Sequence, residues 1–489
     1  MCYLGAFLID NMVSYNKILS HPIVKNATWL MAGEVFSRAV KLGIVIYLAR
    51  LIGPARYGSF AFALSFVSIF VIIADGGLSS IVTKHHARGT LPPKEIADVI
   101  GLKLFLSLVA FCVIALASFT VNDPTGEMRR LILVLGGFTI IQNFADIFDA
   151  FFRSIQKMRY EATLQIIETI STAAFVWLFL SITPAALSAA YGYMIGVLVA
   201  ICISGFVFQK TVAPVSFSFN KKIWTFLLKE SWPLAFVAFF SIIYNNIDTV
   251  MMGYLKQITQ VGWYEAGVKI GLIAVLPSAL LVRSTFPLLS KAAHEVNGRL
   301  EQIMTKLVSS ITLFAIPIAV GGIVVARSLM TFLYGAAYGG GVAALRITVI
   351  SFCINALISA FIFLSVSLNQ QKMVLKVSLL GALVNIALNI VLIPHFSLYG
   401  AALSTLITMV FMLVTYIVVI RRKKINLYGR VIVSNIACAC ASAAVMVGML
   451  VLCMRLHLSI IAVILCGGVI YGAVVYWLQR TLFSRYGII

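Results

Sequence analysis

Long apolar runs separated by short polar connections recur along the whole chain. Each run holds about 20 residues, the length that an α-helix needs to cross the hydrocarbon core of a bilayer. The predicted spans lie near residues 27–50, 59–82, 97–121, 129–152, 161–183, 185–209, 227–254, 260–289, 303–326, 342–368, 373–394, 398–420, 430–453 and 457–479. An outer-membrane barrel would show short alternating segments instead. The pattern therefore predicts an all-α polytopic membrane protein with fourteen transmembrane helices.

The composition agrees with this pattern. Hydrophobic residues make up 61% of the chain and charged residues 11%, whereas a soluble domain holds roughly 25% charged residues. The eight cysteines show no metal-binding spacing, and all but Cys2 lie in or beside apolar runs. No catalytic constellation and no phosphate-binding glycine loop is evident in the sequence. We therefore expect a transporter and not an enzyme, with no metal site and no cofactor.

The net charge of +21 is distributed unevenly along the chain. If the N-terminus is cytoplasmic, the inside segments hold about three times as many Lys and Arg residues as the outside loops, which is the positive-inside bias of membrane proteins. This bias predicts that both termini are cytoplasmic, and it accounts for the basic charge without a nucleic-acid partner. The densest basic run, residues 421–424, falls in a predicted cytoplasmic loop, where it would anchor the topology and contact anionic lipid head groups.

An internal repeat relates two halves of the chain. The tripeptide Gln-Lys-Met occurs at 156–158 and again at 371–373, and the sequences that follow align without a gap, so that 185–188 falls opposite 400–403. We infer that helices 1–6 and 7–12 are repeats and that helices 13 and 14 are appended. Because each repeat has six helices, both point the same way and would be related by a two-fold axis along the membrane normal.

The repeat predicts five segments of the chain. They are a cytoplasmic N-terminal segment (1–26), an N-terminal six-helix lobe (27–210), a cytoplasmic linker (211–226), a C-terminal six-helix lobe (227–420), and a basic loop with two additional helices (421–489). Two like-oriented lobes that face each other leave a central cavity that can open to either side, which suits transport by alternating access. The alternative is a duplicated scaffold that transports nothing.

Ionisable residues recur at helical spacing inside the predicted spans, where they are costly and usually functional. The cations are candidates for binding a phosphorylated substrate, since Arg grips phosphate oxygens bidentately and Lys acts as a point charge. These cations are Arg38, Lys41, Lys103, Lys269 and Arg283. The acids are candidates for coupling transport to a proton or cation gradient, and they are Glu34, Asp75, Asp146, Asp149, Glu168, Asp248 and Glu265. Alternatively, the i, i+4 pairs of Glu34 with Arg38 and of Glu265 with Lys269 simply neutralise each other.

Several stretches of the sequence carry a family resemblance. The first half holds "LARLIGPARYGSFAFA" at 48–63, and the second half holds "NNIDTVMMG" at 245–253, "VGWYEAGVKI" at 261–270 and "LYGAAYGGGVAALRI" at 333–347. The most recognisable stretch is "ALVNIALNIVLIPHFSLYGAALST" at 382–405. Over nearly its whole length, the chain resembles the polysaccharide-transporter branch of the MOP flippase superfamily, whose fold is MATE-like.

The resemblance implies a Wzx-type flippase. Such a protein moves an undecaprenyl-pyrophosphate-linked oligosaccharide, for example an O-antigen repeat unit of lipopolysaccharide, from the cytoplasmic to the periplasmic leaflet of a bacterial inner membrane. It uses no ATP of its own, and coupling to a proton or cation gradient is expected. The implied partners are this lipid-linked oligosaccharide, membrane lipids, and the polysaccharide polymerase and chain-length machinery.

Three other functions remain open on the sequence alone. A lipid II flippase also has fourteen helices. A multidrug or cation antiporter of the same superfamily would typically have twelve helices and an acidic cavity. A membrane glycan polymerase or ligase would be expected to show a long outside loop with Arg or His, and this chain has none.

Overall fold

The fold consists of helices joined by short connections. The computed structural model describes residues 22–486 with the exception of 256–257, 294, 296–297, 424 and 426, and these described residues contain no β-strand. The α-helices are α1 Pro22–Asp75, α2 Leu78–Ala87, α3 Ile96–Ala117, α4 Glu127–Ser154, α5 Met158–Ile182, α6 Ala186–Thr211, α7 Lys221–Leu255, α8 Ile258–Ala292, α9 Arg299–Tyr334, α10 Val342–Ser367, α11 Gln371–Arg422, α12 Gly429–Arg455 and α13 Ile460–Tyr486. Most of the predicted N-terminal segment lies outside the described residues.

The helices account for the predicted membrane crossings. Ten helical stretches of the described chain are long and apolar enough to span a membrane, and the bent helices α7 and α8 raise the number to twelve. Two of the ten, Gly33–Ala87 with 55 residues and Gln371–Arg422 with 52 residues, are each long enough to cross twice. A straight helix of that length would measure about 80 Å, whereas the hydrocarbon core is about 30 Å thick. The described chain therefore accommodates the fourteen predicted spans.

Both long helices are interrupted where two predicted spans meet. In α1 the break is at Gly53, whose φ of +77° lies in the left-handed region that glycine adopts without a steric penalty. Pro54 follows at the start of the next helical stretch, where its missing N–H has no helical partner to lose. In α11 the break is at Ser397, with φ of +53°, three residues after Pro394.

The two parts of α11 fold back on each other. The Cα of Gly400 lies against the backbone of Leu392, so that a side chain at this position would collide with the Leu392 carbonyl oxygen. Further along the same pair, Gly381 faces the side chain of Met412. Contacts between 392 and 400 and between 381 and 412 require antiparallel segments. The break at Ser397 is therefore a reversal of the chain, as the predicted spans 373–394 and 398–420 require.

Helices α7 and α8 are bent. The two parts of α7, Lys221–Phe236 and Ala238–Leu255, meet at 42°, and the two parts of α8, Ile258–Ile273 and Pro277–Ala292, meet at 44°. Pro277 begins the second part of α8, directly after the bend. A proline inside a helix removes one backbone hydrogen bond and clashes with the preceding turn, which accounts for the bend in α8.

The chain forms two compact units. Unit 1 comprises residues up to 52 together with 63–242, and unit 2 comprises 53–62 together with the residues from 243 onward. The core of unit 1 contains Phe151, Phe152 and Phe208, all fully buried. In unit 1, Gly196 of α6 faces the backbone of Thr172 in α5, so that the two helices approach closely. The lobe boundaries predicted from the repeat stay predictions.

Unit 2 contains two apolar cores. One gathers α8, α9, α10 and α11, with Met304, Phe361 and Tyr416 among its buried members. The other joins α9 to the two appended helices α12 and α13 through buried residues such as Met446 and Leu450. The appended helices are thus packed on α9 of unit 2.

Candidate functional site

A hydrogen-bonded charge cluster in unit 1 joins α1, α4 and α5. The Lys41 ammonium lies 3.2 Å from Glu168 Oε1. The same oxygen accepts a hydrogen bond of 2.7 Å from the Gln142 amide. The side chain of Lys41 is 41% exposed and that of Glu168 18% exposed. Residues predicted separately as a substrate-binding cation and a coupling acid therefore form one pair.

A second cluster in unit 1 surrounds a fully buried lysine. Lys103 Nζ donates to Asp75 Oδ1 at 2.7 Å and to Asn143 Oδ1 at 2.8 Å. Asp75 also accepts a hydrogen bond of 2.6 Å from the Ser79 hydroxyl. The side chain of Lys103 has no exposed surface, whereas that of Asp75 is 26% exposed. Breaking such a buried pair by removing one partner typically costs about 3–5 kcal/mol, so this pair holds α1 and α3 together.

The remaining predicted charges of unit 1 lie on α1 and α4. Glu34 and Arg38 form an i, i+4 ion pair, which the sequence analysis gave as the alternative to a role in binding or coupling. The Arg38 side chain is 52% exposed. Asp146 is exposed and Asp149 partly buried, and the described residues show no hydrogen bond or ion pair for either carboxylate. One turn further along α4, Arg153 pairs with Glu161 at 2.8 Å. Asp146 and Asp149 thus belong to none of the four cation–acid pairs named here for unit 1, although charges of these pairs lie near both acids.

A buried polar group in unit 2 surrounds the carboxylate of Asp248. Its Oδ1 accepts a hydrogen bond of 2.5 Å from the Asn389 amide. Its Oδ2 accepts hydrogen bonds from the Tyr264 hydroxyl at 3.0 Å and from the Thr405 hydroxyl at 2.5 Å. Within the described residues no Lys, Arg or His forms an ion pair with this carboxylate. Asp248 is therefore a buried acid held by neutral hydrogen-bond donors, without a cation to balance it.

Two asparagines of α11 complete this group of oxygen atoms. Asn389 donates to the side-chain oxygen of Asn385 at 3.1 Å. Both asparagines are fully buried, and Asn389 Oδ1 and Asn385 Nδ2 have no partner within the described structure. The hydroxyl of Tyr244, one turn before Asp248 in α7, is also buried without a partner. Buried polar atoms without partners are costly, so this Asp248 group has spare capacity for a small polar ligand or ion.

The other charges predicted for unit 2 lie on α8. The Lys269 ammonium lies 3.0 Å from Glu265 Oε2. This is the second i, i+4 pair that the sequence analysis gave as the alternative to a role in binding or coupling. The other oxygen of Glu265 accepts a hydrogen bond from Thr249 of α7. Glu265 is buried, while the side chain of Lys269 is 32% exposed. Arg283 is exposed on the second part of α8, beyond the bend.

The structure thus sorts the predicted site residues into groups. Four of the five predicted cations form ion pairs with four of the seven predicted acids, and the described residues show no ion pair for Asp146, Asp149 or Asp248. The predicted roles of these residues in binding or coupling stay predictions. The partners that sequence reasoning missed are mostly neutral: Ser79, Asn143, Thr249, Tyr264 and Thr405. Asn385 and Asn389 did leave a signal, because two amides at i, i+4 in an apolar run must face other protein groups.

The chain is similar to proteins of polysaccharide and glycan biosynthesis. A family model described as "Polysaccharide biosynthesis protein" matches residues 23–293. The chain is 22% identical over 394 residues to "Probable low-salt glycan biosynthesis flippase Agl15" of Haloferax volcanii. This match covers 78% of this chain and 80% of that protein. It is 28% identical over 174 residues to "Probable flippase AglR" of the same organism, covering 34% and 36% of the two chains.

Solved structures show the same fold. The lipid II flippase MurJ in an inward closed conformation has a TM-score of 0.75 and 17% identity, and the match covers 93% of this chain and 99% of that chain. An inward-facing multidrug resistance MATE family transporter of the MOP superfamily has a TM-score of 0.65 and 15% identity, with coverage of 79% and 95%. The predicted fold class and the resemblance to the polysaccharide-transporter branch of the MOP superfamily are confirmed. The chain is a multi-pass membrane protein that belongs to the polysaccharide biosynthesis protein family.

Proposed function

We propose that this protein is a flippase that moves a lipid-linked oligosaccharide across a membrane. The observation that carries the proposal is the family match over residues 23–293 on an all-α fold with ten to twelve candidate membrane-spanning stretches in the described chain. Its similarity to proteins named as glycan-biosynthesis flippases supports the same assignment. The proposed activity is transport by alternating access, without a catalytic step.

The finer proposal concerns the cargo and its direction. We take the cargo to be an undecaprenyl-pyrophosphate-linked repeat unit of O-antigen or another surface polysaccharide, moved from the cytoplasmic to the periplasmic leaflet of a bacterial inner membrane. The positive-inside bias supports cytoplasmic termini. The cationic side chains of Arg38 and Lys41 support an anionic cargo, because both remain partly exposed although each has an acidic partner.

The pairing suggests how the anion is held. Arg38 and Lys41 lie within one turn of α1, each bound to a carboxylate. A pyrophosphate that approaches these side chains would replace Glu34 and Glu168 as their partner, since phosphate accepts bidentate hydrogen bonds from Arg. A carboxylate that loses its cation in a low-dielectric setting is costly unless it binds a proton. Cargo binding and proton uptake would then be linked through the same two ion pairs.

The Asp248 group is the proposed coupling site of unit 2. It offers carboxylate, amide and hydroxyl oxygens around one buried acid, and the described structure supplies no cation to balance its charge. Oxygen ligands of this kind suit a proton or a hard cation such as sodium. We propose that the coupling ion binds here in one state of the transport cycle and leaves in another.

Inactivation of the gene, followed by extraction of polyprenyl-linked sugars, tests the proposed function. A single oligosaccharide unit that accumulates on the cytoplasmic leaflet would support the proposal, and its mass would define the cargo. Accumulation of lipid II instead would support the alternative that the likeness to MurJ favours. No accumulation with intact surface glycan would contradict both and favour the antiporter alternative.

A further inference from the structure

An apolar cavity of about 630 Å³ lies within unit 2 between α9, α10, α11 and α12. Its volume falls in the range of roughly 300–1,000 Å³ that is typical of ligand sites. The hydroxyl of Thr312 in its wall already donates to the Val308 carbonyl at 2.7 Å. Most of the wall consists of apolar side chains, among them Val308, Leu357, Leu413, Ile417 and Ile432. The cavity is therefore suited to an alkyl chain.

A basic cluster, defined here as Arg421, Arg422, Lys423 and Arg430, lies at one end of this cavity. Arg421 is itself part of the wall. Arg422 and Lys423 follow it at the end of α11, and Arg430 is in the first turn of α12. All four residues are exposed. One cation of the cluster thus lines the apolar cavity, and the other three lie on the helix ends next to it.

The basic cluster has no counter-charge in the described structure. None of its four members forms an ion pair with a described carboxylate. No Asp or Glu occurs after Glu301 in the sequence, so α10 to α13 contain no carboxylate side chain that could pair with the cluster. Four like charges within two helix ends repel one another in the absence of an anion. The surroundings of the protein must therefore supply the balancing negative charge.

The position of the cluster suits the surface of a bilayer. It lies where α11 ends and α12 begins, and both helices are apolar. The ends of membrane-spanning helices lie at the level of the lipid head groups. Val433 and Ile436 of α12 border the cavity and are 65% and 39% exposed. A ligand with an anionic head and an alkyl chain would match the cluster and the cavity together.

We propose that this cavity binds an anionic phospholipid. The phosphate lies on the basic cluster, where Arg421 and Arg430 donate to its oxygens, and one acyl chain fills the cavity beside Val433 and Ile436. Basic pockets between transmembrane helices recognise lipid head groups by this combination of charge and apolar surface. The site does not depend on the proposed flippase activity, since it uses none of the residues assigned to cargo or ion coupling.

Lipid binding to the purified full-length protein tests the proposal. The protein in a neutral detergent is titrated with phosphatidylglycerol, with phosphatidylcholine of identical acyl chains, and with a polyprenyl pyrophosphate, and bound lipid is counted by native mass spectrometry. We expect phosphatidylglycerol to bind roughly tenfold more tightly than phosphatidylcholine, because the choline cation of phosphatidylcholine cancels the phosphate charge that the basic cluster attracts.

Two variants separate the head-group contacts from the acyl-chain contacts. The triple variant R421Q/R422Q/R430Q should lose the preference for phosphatidylglycerol while it still binds phosphatidylcholine as the native protein does. Gly429→Leu adds bulk to the cavity wall, since Gly429 is part of the lining and a side chain there meets no atom within 4 Å. This variant should weaken the binding of both phospholipids, since it removes space for the acyl chain.

Matched controls make the loss specific. K372Q/K376Q removes two exposed cations at the start of α11, away from the cavity wall. Gly205→Leu in α6 adds the same side chain where nothing lies within 4 Å. Both controls should bind phosphatidylglycerol as the native protein does. The proposal is overturned if the triple variant keeps its preference for phosphatidylglycerol, if the native protein has none, or if polyprenyl pyrophosphate binds this site in preference to the phospholipid.

Discussion

At the scale of single residues, the charges inside the membrane act as pairs. Arg38 with Glu34 and Lys41 with Glu168 leave little net charge for a ligand to meet. In the proposed mechanism, a pyrophosphate binds them by exchanging places with a carboxylate. This exchange would make the affinity for the anion depend on how readily the acid gives up its cation, and it would link anion binding to proton uptake.

Substitution of Arg38 tests the exchange. We expect Arg38→Gln to lower the rate of transport about tenfold, because one charged hydrogen-bond donor to the phosphate is lost, with its ordinary contribution of roughly 1.5–3 kcal/mol. Arg299→Gln is a matched control, since Arg299 also forms an i, i+4 pair with a Glu and its side chain is likewise 52% exposed. Transport and protein level in the membrane are measured for both. Equal transport by the two variants would contradict the role of Arg38.

Asp248 gives the second prediction at this scale. Asp248→Asn keeps the size of the side chain and much of its hydrogen bonding, but it removes the charge that a coupling ion would balance. We expect transport by this variant to become independent of the proton and sodium gradients, as measured in proteoliposomes with each gradient imposed and dissipated. Asp98→Asn, at another buried acid, should remain gradient-dependent. Full gradient dependence of Asp248→Asn would exclude this group as the coupling site.

Sequence reasoning could find the charged residues but not their partners. Helical spacing placed Asp248 on a polar face of its helix, and it correctly indicated that Glu34 could reach Arg38 within one helix. It could not show that Thr405 and Asn389 of α11 donate to Asp248, because these residues are more than 140 positions away along the chain. The long-range partners depend on how helices rotate and pack, which a single sequence does not encode locally.

At the scale of the helices, hydropathy predicted the spans well and the bends less well. The fourteen runs correspond to helices, but α1 and α11 each join two predicted spans across a short break. The bend in α8 follows from Pro277, which the sequence displays. The bend in α7 falls near residue 237, one turn after Pro233, and hydropathy gave no sign of it.

The reversal within α11 gives a prediction about stability. Gly400→Ala should destabilise the fold, because the new methyl group would collide with the carbonyl oxygen of Leu392, a backbone atom that cannot move aside. Overpacking of this kind costs typically about 1–3 kcal/mol. Gly448→Ala in α12 is the control, since nothing lies within 4 Å of the added methyl group, and alanine there favours the helix.

Thermal unfolding of the purified variants measures this difference. We expect the midpoint of Gly400→Ala to fall below that of the native protein, and the midpoint of Gly448→Ala to stay equal or rise. Equal midpoints for the two variants would show that the close approach of the two parts of α11 is not needed for stability.

At the scale of the whole molecule, the proposed function rests on a family match over residues 23–293, an all-α membrane fold and an uneven distribution of charge. The family and the fold class were both predicted from the sequence, since each depends on patterns that run over many residues. The direction of transport and the identity of the sugar depend on few residues and on the surrounding membrane. These properties therefore stay proposals until transport itself is measured.

The most direct test is transport by the purified protein. The protein is reconstituted into liposomes that carry a fluorescent undecaprenyl-pyrophosphate-linked oligosaccharide, and the fraction of glycan accessible to an external glycosidase is followed over time. With the native protein, we predict that the fraction of glycan cleaved by the glycosidase rises above the fraction that starts in the outer leaflet. We predict that it rises faster when a proton or sodium gradient is imposed. Accessibility that stays at the outer-leaflet share, with a folded protein and both gradients tested, would contradict the proposal that this protein is a flippase for lipid-linked oligosaccharides.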